Sequence, residues 1–379
     1  MAFQDGAGLH AKIGNNHLNS CVHCRTRIQD THRFGAAFPF TMQDLAVIWL
    51  SLAGCLAVIG VAGVRLSRYG DIIAEKSGMS RGWVGLILLA TVTSLPELVT
   101  GLSSVTVAKV PDIAVGDVMG SCVFNLLIIV VLDFLYRKES VYTRARQGNV
   151  LSASYGVALI GFVGFNLLLY RAGTIPSIGH VGLYTPVILL LYLLAMRSLY
   201  RYEQAQVSEY VEDRVELHPE MSLKQAVQGY AMAAVVVVAA GIWLPFIAKD
   251  LAVVMAWEQS FVGTLFVAAV TSAPEVVVTV AALRMGAIDL AIGNLFGSNL
   301  FNIAILAIDD LVYLPGPLLA DVSLAHAASA FSAMMMSGLA VVGLVLRPTS
   351  RVFRSISWIS LLLLVVYLLN TLFLYLYGH

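Results

Sequence analysis

Long stretches without a charged residue constrain this chain of 379 residues more than any other feature. Each stretch can cross the hydrocarbon core of a bilayer, which takes about 20 residues as a helix. Only 12% of the residues are charged, whereas a soluble domain carries about 25%. The uncharged stretches are 45–64, 147–170, 225–248, 290–308, 322–346 and 355–379. We therefore predict an all-α polytopic membrane protein.

Hydropathy places ten transmembrane helices along the chain. The acidic connection 201–223 divides them into a first five-helix half, 43–200, and a second, 224–379. Residues 1–42 precede the first span, and we interpret them as a disordered extension or as the product of a start codon assigned too early. The predicted spans are 43–65, 83–108, 112–136, 148–170, 181–200, 224–247, 259–283, 288–314, 325–346 and 355–377.

The distribution of lysine and arginine predicts the orientation. Sixteen of these residues lie in the loops on one side of the ten spans, and only Lys109, Arg171 and Lys249 lie on the other. Loops rich in positive charge stay in the cytoplasm. We expect a protein of the cytoplasmic membrane with both ends of its ten-span body outside.

A helix-pair motif occurs twice in the chain. The run from Gly85 to Glu97 matches the run from Gly263 to Glu275, and both contain Thr-Ser-x-Pro-Glu. A second run, 112–125, matches 289–302, and both contain Gly-Ser-x-x-Phe-Asn. Five spans separate the copies, so they cross the membrane in opposite directions. Inverted repeats of this kind are typical of secondary transporters, whose ion sites lie at the repeat interface.

Glu97 and Glu275 lie inside apolar spans at matching positions of the two copies. An acidic group at the centre of a membrane helix costs roughly 2.5 to 3.5 kcal/mol. No lysine or arginine lies in a predicted span core, so a mobile cation is the expected counter-charge. The alternative is a protonated glutamic acid bonded to a neighbouring helix.

The residues around the two glutamates are suited to a hard cation, which prefers oxygen ligands. A threonine lies one turn before each glutamate, and the proline before each glutamate leaves a backbone carbonyl without its helical partner. On the partner helix a serine and an asparagine are spaced by one turn, among glycines that permit close packing. These residues are Thr93, Thr271, Pro96, Pro274, Ser121, Asn125, Ser298, Asn302, Gly116, Gly120, Gly293 and Gly297.

These two motifs resemble the alpha-repeats of the sodium/calcium exchanger family, within the calcium/cation antiporter superfamily. The likeness covers 83–136 and 259–312 and implies a ten-helix fold with four central ion sites. By position, Glu97, Asn125, Glu275 and Asn302 would form the middle of the site. One flanking sodium site would be lined by Ala90, Thr93, Ser94 and Ser298, and the other by Ala268, Thr271, Ser272 and Ser121. Alternating access would come from sliding of the first and sixth spans.

The resemblance implies a sodium-driven antiporter that exports calcium, with no cofactor and no enzymatic activity. The expected partners are Ca2+, Na+ and membrane lipid but no nucleic acid, and we expect a monomer. Three departures from the family pattern concern Val92 with Val270, Asn302, and Asp117, which replaces an asparagine. Asp117 is either a polar bridge between helices or a proton acceptor. The alternative function is therefore a proton-coupled exchanger, or one for another cation, with the same fold.

Other polar residues have simpler interpretations. Asp112 and Asp289 begin two spans, where a helix N-cap is expected. Asp133 and Asp310 also match between the repeats, and they are either span-end residues or part of an ion-attracting vestibule. The Cys21-x-x-Cys24 pair has no second cysteine pair to complete a zinc site, and we assign it no metal.

Overall fold

The computed structural model describes residues 42–76, 90–173, 176–207, 221–352 and 355–378. The Cys21 and Cys24 pair, the Gly85 end of the first motif and the middle of the acidic connection lie outside these ranges. The helices are α1 (Met42–Lys76), α2 (Ala90–Thr93), α3 (Leu95–Ser103), α4 (Pro111–Leu135), α5 (Gln147–Ala172), α6 (Tyr184–Val207), α7 (Leu223–Met255), α8 (Gln259–Val262), α9 (Ala268–Thr271), α10 (Ala273–Arg284), α11 (Ile288–Val312), α12 (Ala325–Leu346) and α13 (Trp358–Tyr377).

Short elements connect these helices. A π-helical turn continues α3 over Ser104–Ala108, and another joins α8 to α9 over Gly263–Val267. Two antiparallel strand pairs lie in the loops before α6 and α13. They are β1 (Ser177–Ile178) with β2 (Val181–Gly182), and β3 (Arg351–Val352) with β4 (Ile356–Ser357), and the 3-10 turns are Val141–Thr143 and Leu318–Ala320.

Within the described residues, seven helices are long and apolar enough to cross a membrane, and an eighth candidate is the bent pair Gln259–Thr271 and Ala273–Arg284. These eight coincide with eight of the ten predicted spans. For the span predicted at 83–108, only the part from Ala90 is described, and it is broken at Ser94. The span predicted at 181–200 corresponds to α6, which carries Arg197 and Arg201 in its second half. The structure therefore shows a polytopic helical membrane protein.

Helix α6 extends into the acidic connection predicted at 201–223. Helix α6 continues to Val207, whereas we expected the loop to begin at residue 201. The helix continues because 201–207 contains no glycine or proline to end it. A capping box at Ser222 and Gln225 then starts α7, so that the hydroxyl of Ser222 and the side chain of Gln225 satisfy each other's backbone N–H groups.

Helices α4 and α11 are the most enclosed spans. Within their most apolar segments, 72% of α4 and 89% of α11 is buried, against 22% of α1. A helix that is apolar all round is buried on all sides. The polar residues of the repeated motif on these two helices are therefore held away from lipid.

The glycines of α4 permit a close backbone contact, as the sequence predicts. A Cβ atom on Gly116 would lie 3.0 Å from the Cα of Gly263, and one on Gly120 would lie 2.3 Å from the carbonyl oxygen of Thr264. Any larger residue would collide with the backbone of the π turn Gly263–Val267. This contact places α4 directly against the helix that leads to Glu275.

Asp112 and Asp289 do not cap their own helices, so that prediction was wrong. The N-cap residues of α4 and α11 are Val110 and Ala287, and neither makes a side-chain cap. Each aspartate lies one or two residues inside its helix, from where its carboxylate reaches another segment. The Oδ1 atom of Asp112 accepts a hydrogen bond from the Ser323 N–H at 2.7 Å, and that of Asp289 accepts one from Arg146 N–H at 2.7 Å.

Three residues beyond each of these N–H groups, a side chain reaches the same aspartate oxygen. His326 Nε2 lies 3.0 Å from Asp112, and Asn149 Nδ2 donates to Asp289 at 2.8 Å. Asn149 and His326 are 177 positions apart in the chain, as are the two aspartates. The two contacts are therefore equivalent under the offset of the repeat.

Asp133 and Asp310 anchor the loops that follow α4 and α11. Asp133 accepts a hydrogen bond from the Val141 N–H at 3.1 Å, and Asp310 accepts one from the Leu318 N–H at 2.7 Å. In both loops the donor lies eight residues after the aspartate.

The second oxygen of each aspartate binds the segment that starts a helix of the other half. Asp133 accepts from the Ser357 N–H at 2.6 Å, just before α13. Asp310 accepts from the Gly182 N–H at 3.0 Å, just before α6. Both side chains are fully buried and act as loop anchors, which favours the span-end interpretation over the vestibule.

Candidate functional site

The two glutamates of the repeated motif begin short helices after a break. The break falls at Ser94 and at Ser272, whose backbone angles are nearly equal (φ −88, ψ 15 and φ −80, ψ 9). The proline after each break occupies the first turn of α3 or α10, where its missing N–H costs nothing. Glu97 and Glu275 therefore lie at helix starts, whose partial positive charge favours a carboxylate.

Glu97 is fully buried and receives its hydrogen bonds from α4 and from the second repeat. Its Oε1 atom accepts from Ser272 Oγ at 3.1 Å and from Ser121 Oγ at 3.4 Å. The two serine hydroxyls also lie 3.1 Å apart. The other carboxylate oxygen, Oε2, has no hydrogen-bond partner among the described residues. One oxygen of Glu97 is thus available for a ligand.

Glu275 has equivalent surroundings, because it receives one hydrogen bond from the first repeat and one from α11. Its Oε1 atom accepts from Ser94 Oγ at 3.2 Å and from Ser298 Oγ at 3.3 Å. Its Oε2 atom also lacks a partner in the described part of the chain, and the side chain is fully buried. The structure therefore brings both glutamates and all four predicted serines into one cluster.

The two threonines lie at the edges of this cluster and contact the predicted alanine carbonyls. Thr93 Oγ1 donates to the carbonyl oxygen of Ala90 at 3.2 Å and lies 3.3 Å from Ser298 Oγ. Thr271 Oγ1 lies 3.3 Å from the carbonyl oxygen of Ala268. Hydroxyl and carbonyl oxygens of the broken helices thus flank both carboxylates, and such oxygens are the ligands that hard cations prefer.

Asp117 joins α4 to α9 at the edge of the cluster. Its Oδ1 atom accepts from Thr271 Oγ1 at 2.8 Å and from Ser121 Oγ at 3.5 Å. These contacts are those of a polar bridge, one of the two roles considered for Asp117. Its Oδ2 atom has no partner among the described residues, so the role of proton acceptor stays a prediction. At the matching position of the second repeat, neither amide atom of Asn294 has a described partner.

The two predicted asparagines are buried in the same region. In the described structure, Asn302 has no partner for either amide atom, and the Oδ1 atom of Asn125 has none. Asn125 donates from Nδ2 to the Oδ1 atom of Asn299 at 3.0 Å. This single hydrogen bond orients the Asn125 amide and leaves its oxygen unpaired.

Asn299 is a site residue that sequence reasoning missed. It also donates from Nδ2 to the carbonyl oxygen of Cys122 at 3.1 Å, so it fixes α11 against α4. Its position in the first repeat is occupied by Cys122, and a search for residues shared by both copies therefore omits it. Its position within the second Gly-Ser-x-x-Phe-Asn motif was the only available signal.

No lysine, arginine or histidine forms an ion pair with either glutamate within the described residues. The ion pairs found there join carboxylates at helix ends or in loops to basic partners, as in Arg144 with Glu139 and Arg146 with Asp289. Removing a carboxylate from water is expensive unless an opposite charge or a proton accompanies it. Two carboxylates among neutral oxygen donors therefore form a site suited to exchangeable cations.

Comparison with known proteins identifies the family of this chain. The family model for the sodium/calcium exchanger protein matches residues 47–197 and 226–376. The inner membrane protein YrbG of Escherichia coli is 29% identical over 258 residues, which are 68% of this chain and 76% of that protein. The sodium/calcium exchanger MaX1 of Methanosarcina acetivorans is 26% identical over 279 residues, which are 65% of this chain and 77% of that protein.

The fold has a counterpart among solved structures. The sodium-calcium exchanger NCX_Mj, soaked with Na+ and Sr2+, superposes with a TM-score of 0.56 over 86% of this chain and 97% of that chain. Its sequence is 18% identical to this one, so this likeness concerns the fold alone. The family match spans both halves of the chain and includes both glutamates. The chain therefore belongs to the sodium/calcium exchanger family.

Proposed function

We propose that this cation antiporter uses a sodium gradient to move calcium across the cytoplasmic membrane. One observation carries the proposal: Glu97 and Glu275 are fully buried, each binds a serine of the opposite repeat, and each keeps one oxygen without a partner among the described residues. Two carboxylates can balance one divalent cation. Sodium ions that occupy the same carboxylates would exclude calcium, and this mutual exclusion would couple the two fluxes.

The proposed ligands form a middle group and two flanking groups. The middle group is Glu97, Asn125, Glu275 and Asn302, whose unpaired oxygens support it. The flanking groups consist of Ala90, Thr93, Ser94 and Ser298 on one side and Ala268, Thr271, Ser272 and Ser121 on the other. A relative named as a sodium/calcium exchanger supports the choice of ions.

We further propose ten spans arranged as two inverted halves, 43–200 and 224–379. The reciprocal contacts of the four aspartates at the ends of α4 and α11 support this arrangement, because their partners also follow the repeat offset. Helix α6 supports it too, since 24 residues extend for about 36 Å. The alpha-repeats are then 83–136 and 259–312, the cytoplasmic connection is 201–223, and 1–42 is an extension.

The mechanism requires that the central site face one side of the membrane at a time. We assign the sliding motion to α1 and α7, the first and sixth spans, which would move across the enclosed helices α4 and α11. The exposure of α1 supports this, because only 22% of its apolar segment is buried in the protein. A weakly enclosed helix can move without opening a packed core.

The test is calcium uptake into inside-out vesicles under a sodium gradient. We expect Glu97→Gln and Glu275→Gln each to abolish uptake, because an amide cannot balance the charge of the ion. Glu139→Gln is the matched control, because this glutamate lies in a loop outside the predicted spans. Hydrogen bonds from Arg144 and Thr143 hold the pKa of Glu139 below its usual value. Uptake in this control should match the native protein. Sodium-driven uptake in both site variants would contradict the assignment.

The same vesicles distinguish the alternative coupling. With sodium absent and a pH gradient imposed, a proton-coupled exchanger would still accumulate calcium, and Asp117→Asn would stop it. The bridge from Asp117 to Thr271 supports the sodium proposal, because Asp117 Oδ1 is already occupied by a donor. We expect no uptake under the pH gradient alone.

A further inference from the structure

Another buried carboxylate, Asp309, lies near the end of α11 and has no part in the exchange proposed above. The side chain is fully buried, and neither Oδ1 nor Oδ2 has a hydrogen-bond partner among the described residues. Its neighbour Asp310 is equally buried, but hydrogen bonds from Gly182, Thr185 and Leu318 satisfy it. A buried carboxylate without donors requires a cation or a proton.

Asp309 lies beside the helix that carries Glu97. A Cβ atom added to Gly101 would lie 2.4 Å from Asp309 Oδ2, so the carboxylate touches the backbone of α3 one turn after Glu97. The broken helix α2–α3 and α11 run in the same direction, because Thr93 contacts Ser298 before Gly101 meets Asp309. Asp309 therefore lies between the central site and the ends of these two helices.

Unpaired polar atoms occur along both helices, before Asp309 and beyond it. Ser104 lies one turn beyond Gly101, and its buried hydroxyl has no described partner. Asn302 lies two turns before Asp309, and neither of its amide atoms has a described partner. Buried polar groups are normally paired. A series of unpaired ones leading from the central site is the arrangement that a cation on its way in or out would need.

This chemistry is confined to one half of the chain. In the first repeat the position of Asp309 is occupied by Leu132, and in the second repeat the position of Gly101 is occupied by Thr279. Glycine leaves room for a carboxylate against α3, whereas threonine adds a branched side chain. Glu97 and Glu275 occupy matching positions of the two repeats, whereas Asp309 has no counterpart in the first repeat. A function of Asp309 would therefore act on one side of the membrane only.

We propose that Asp309 binds a monovalent cation on the route between the central site and the side where α3 and α11 end. A single carboxylate balances a single charge, and calcium would require six to eight oxygen ligands. The place of Asp309 on an ion route rests on the proposed exchange function, whereas cation binding by Asp309 does not. On the predicted orientation, this side is the outside.

Thermal unfolding tests the binding without transport. The double variant Glu97→Gln/Glu275→Gln is compared with the triple variant that adds Asp309→Asn. Sodium chloride replaces N-methyl-D-glucamine chloride at constant ionic strength, and a cation that binds the folded state raises the unfolding midpoint. We expect sodium to raise the midpoint of the double variant and not that of the triple variant. Equal responses of the two variants, whether a rise or none, would overturn the proposal.

Flux measurements test the route in the native background. We expect Asp309→Asn and Asp309→Leu to raise the half-saturating sodium concentration about tenfold on the outside and less than about twofold on the inside, a tenfold change being one decade of affinity. Asp321→Asn, a change at an exposed carboxylate, should alter neither value. Equal shifts on both sides, or a change in pH dependence alone, would overturn the proposal. Absence of exchange in the native protein would contradict the proposed function but leave the unfolding comparison decisive.

Discussion

At the scale of single residues, each central glutamate is held by a hydroxyl from the opposite repeat. Ser272 donates to Glu97, and Ser94 donates to Glu275. Each serine lies at the break of its own helix, where a regular α-helical backbone is interrupted. The break therefore positions both a carboxylate and the donor for the other carboxylate.

Asn299 is expected to set the orientation of Asn125. Replacing it by leucine removes the acceptor of the Asn125 amide at 3.0 Å and leaves a buried N–H unpaired, which costs roughly 1–3 kcal/mol. We expect Asn299→Leu to raise the half-saturating calcium concentration about tenfold in the vesicle assay, as for a loss of about 1.4 kcal/mol. Cys122→Ala, at the matching repeat position, should leave that concentration nearly unchanged. An unaltered value for the folded Asn299→Leu protein would refute the role.

At the scale of helices, close backbone contacts position the site. Helix α4 touches the π turn Gly263–Val267 through Gly116 and Gly120, and this turn leads directly into the helix broken before Glu275. Small residues at helix contacts in membranes permit this approach. A shift of α4 would displace Ser121 and Asn125 together, because both are on the same helix.

Gly120→Ala tests this contact. The added methyl group would lie 2.3 Å from the carbonyl oxygen and 2.6 Å from the Cα atom of Thr264, so backbone must move. Overpacking of this kind costs about 1–3 kcal/mol, and we expect a lower unfolding midpoint and weaker calcium uptake. Gly156→Ala in α5 is the control, since nothing lies within 4 Å of the new atom and alanine favours a helix by about 1 kcal/mol. Similar midpoints for the two variants would contradict the contact.

The loop anchors make a separate prediction. Asp310→Asn weakens the hydrogen bonds of two backbone N–H groups, those of Gly182 and Leu318, and each buried group left unpaired costs roughly 1–3 kcal/mol. We expect a lower unfolding midpoint with an unchanged half-saturating calcium concentration, and the same for Asp133→Asn. An ion-attracting vestibule would give the opposite result, with altered half-saturation and unchanged stability.

At the scale of the whole molecule, the orientation remains a prediction from loop charges. It is tested by labelling with a membrane-impermeant maleimide in a Cys21→Ser/Cys24→Ser background, because Cys55 and Cys122 are buried. We expect Lys249→Cys to react in intact right-side-out vesicles and Lys138→Cys to react only after permeabilisation. Both positions are exposed in the structure. The reverse pattern would invert the proposed topology.

Much of the site could be predicted from sequence, because the repeat identifies residues by their recurrence. Glu97 and Glu275, with the serines and threonines beside them, recur in equivalent settings, and the structure places them together. The spacing of one helical turn predicts that each threonine shares a face with its own glutamate, but the helix is broken between them at Ser94 and Ser272. Thr93 instead contacts Ser298, which binds Glu275. The apolar spans could be predicted as well, since bilayer crossing depends on local composition.

The sequence by itself determined the membrane class, the repeat and the residue types of the central site, because these follow from local composition and from recurrence. Only the tertiary structure decided the partners of Asn299, the contacts of the four matched aspartates and the isolation of Asp309 beside Gly101. Asp309 and Asp310 are adjacent in sequence and equally buried, yet in the described part of the chain Asp310 receives hydrogen bonds and Asp309 receives none. The reason is physical: a hydrogen bond depends on which atoms of distant segments meet, and neighbouring residues of a helix point in different directions.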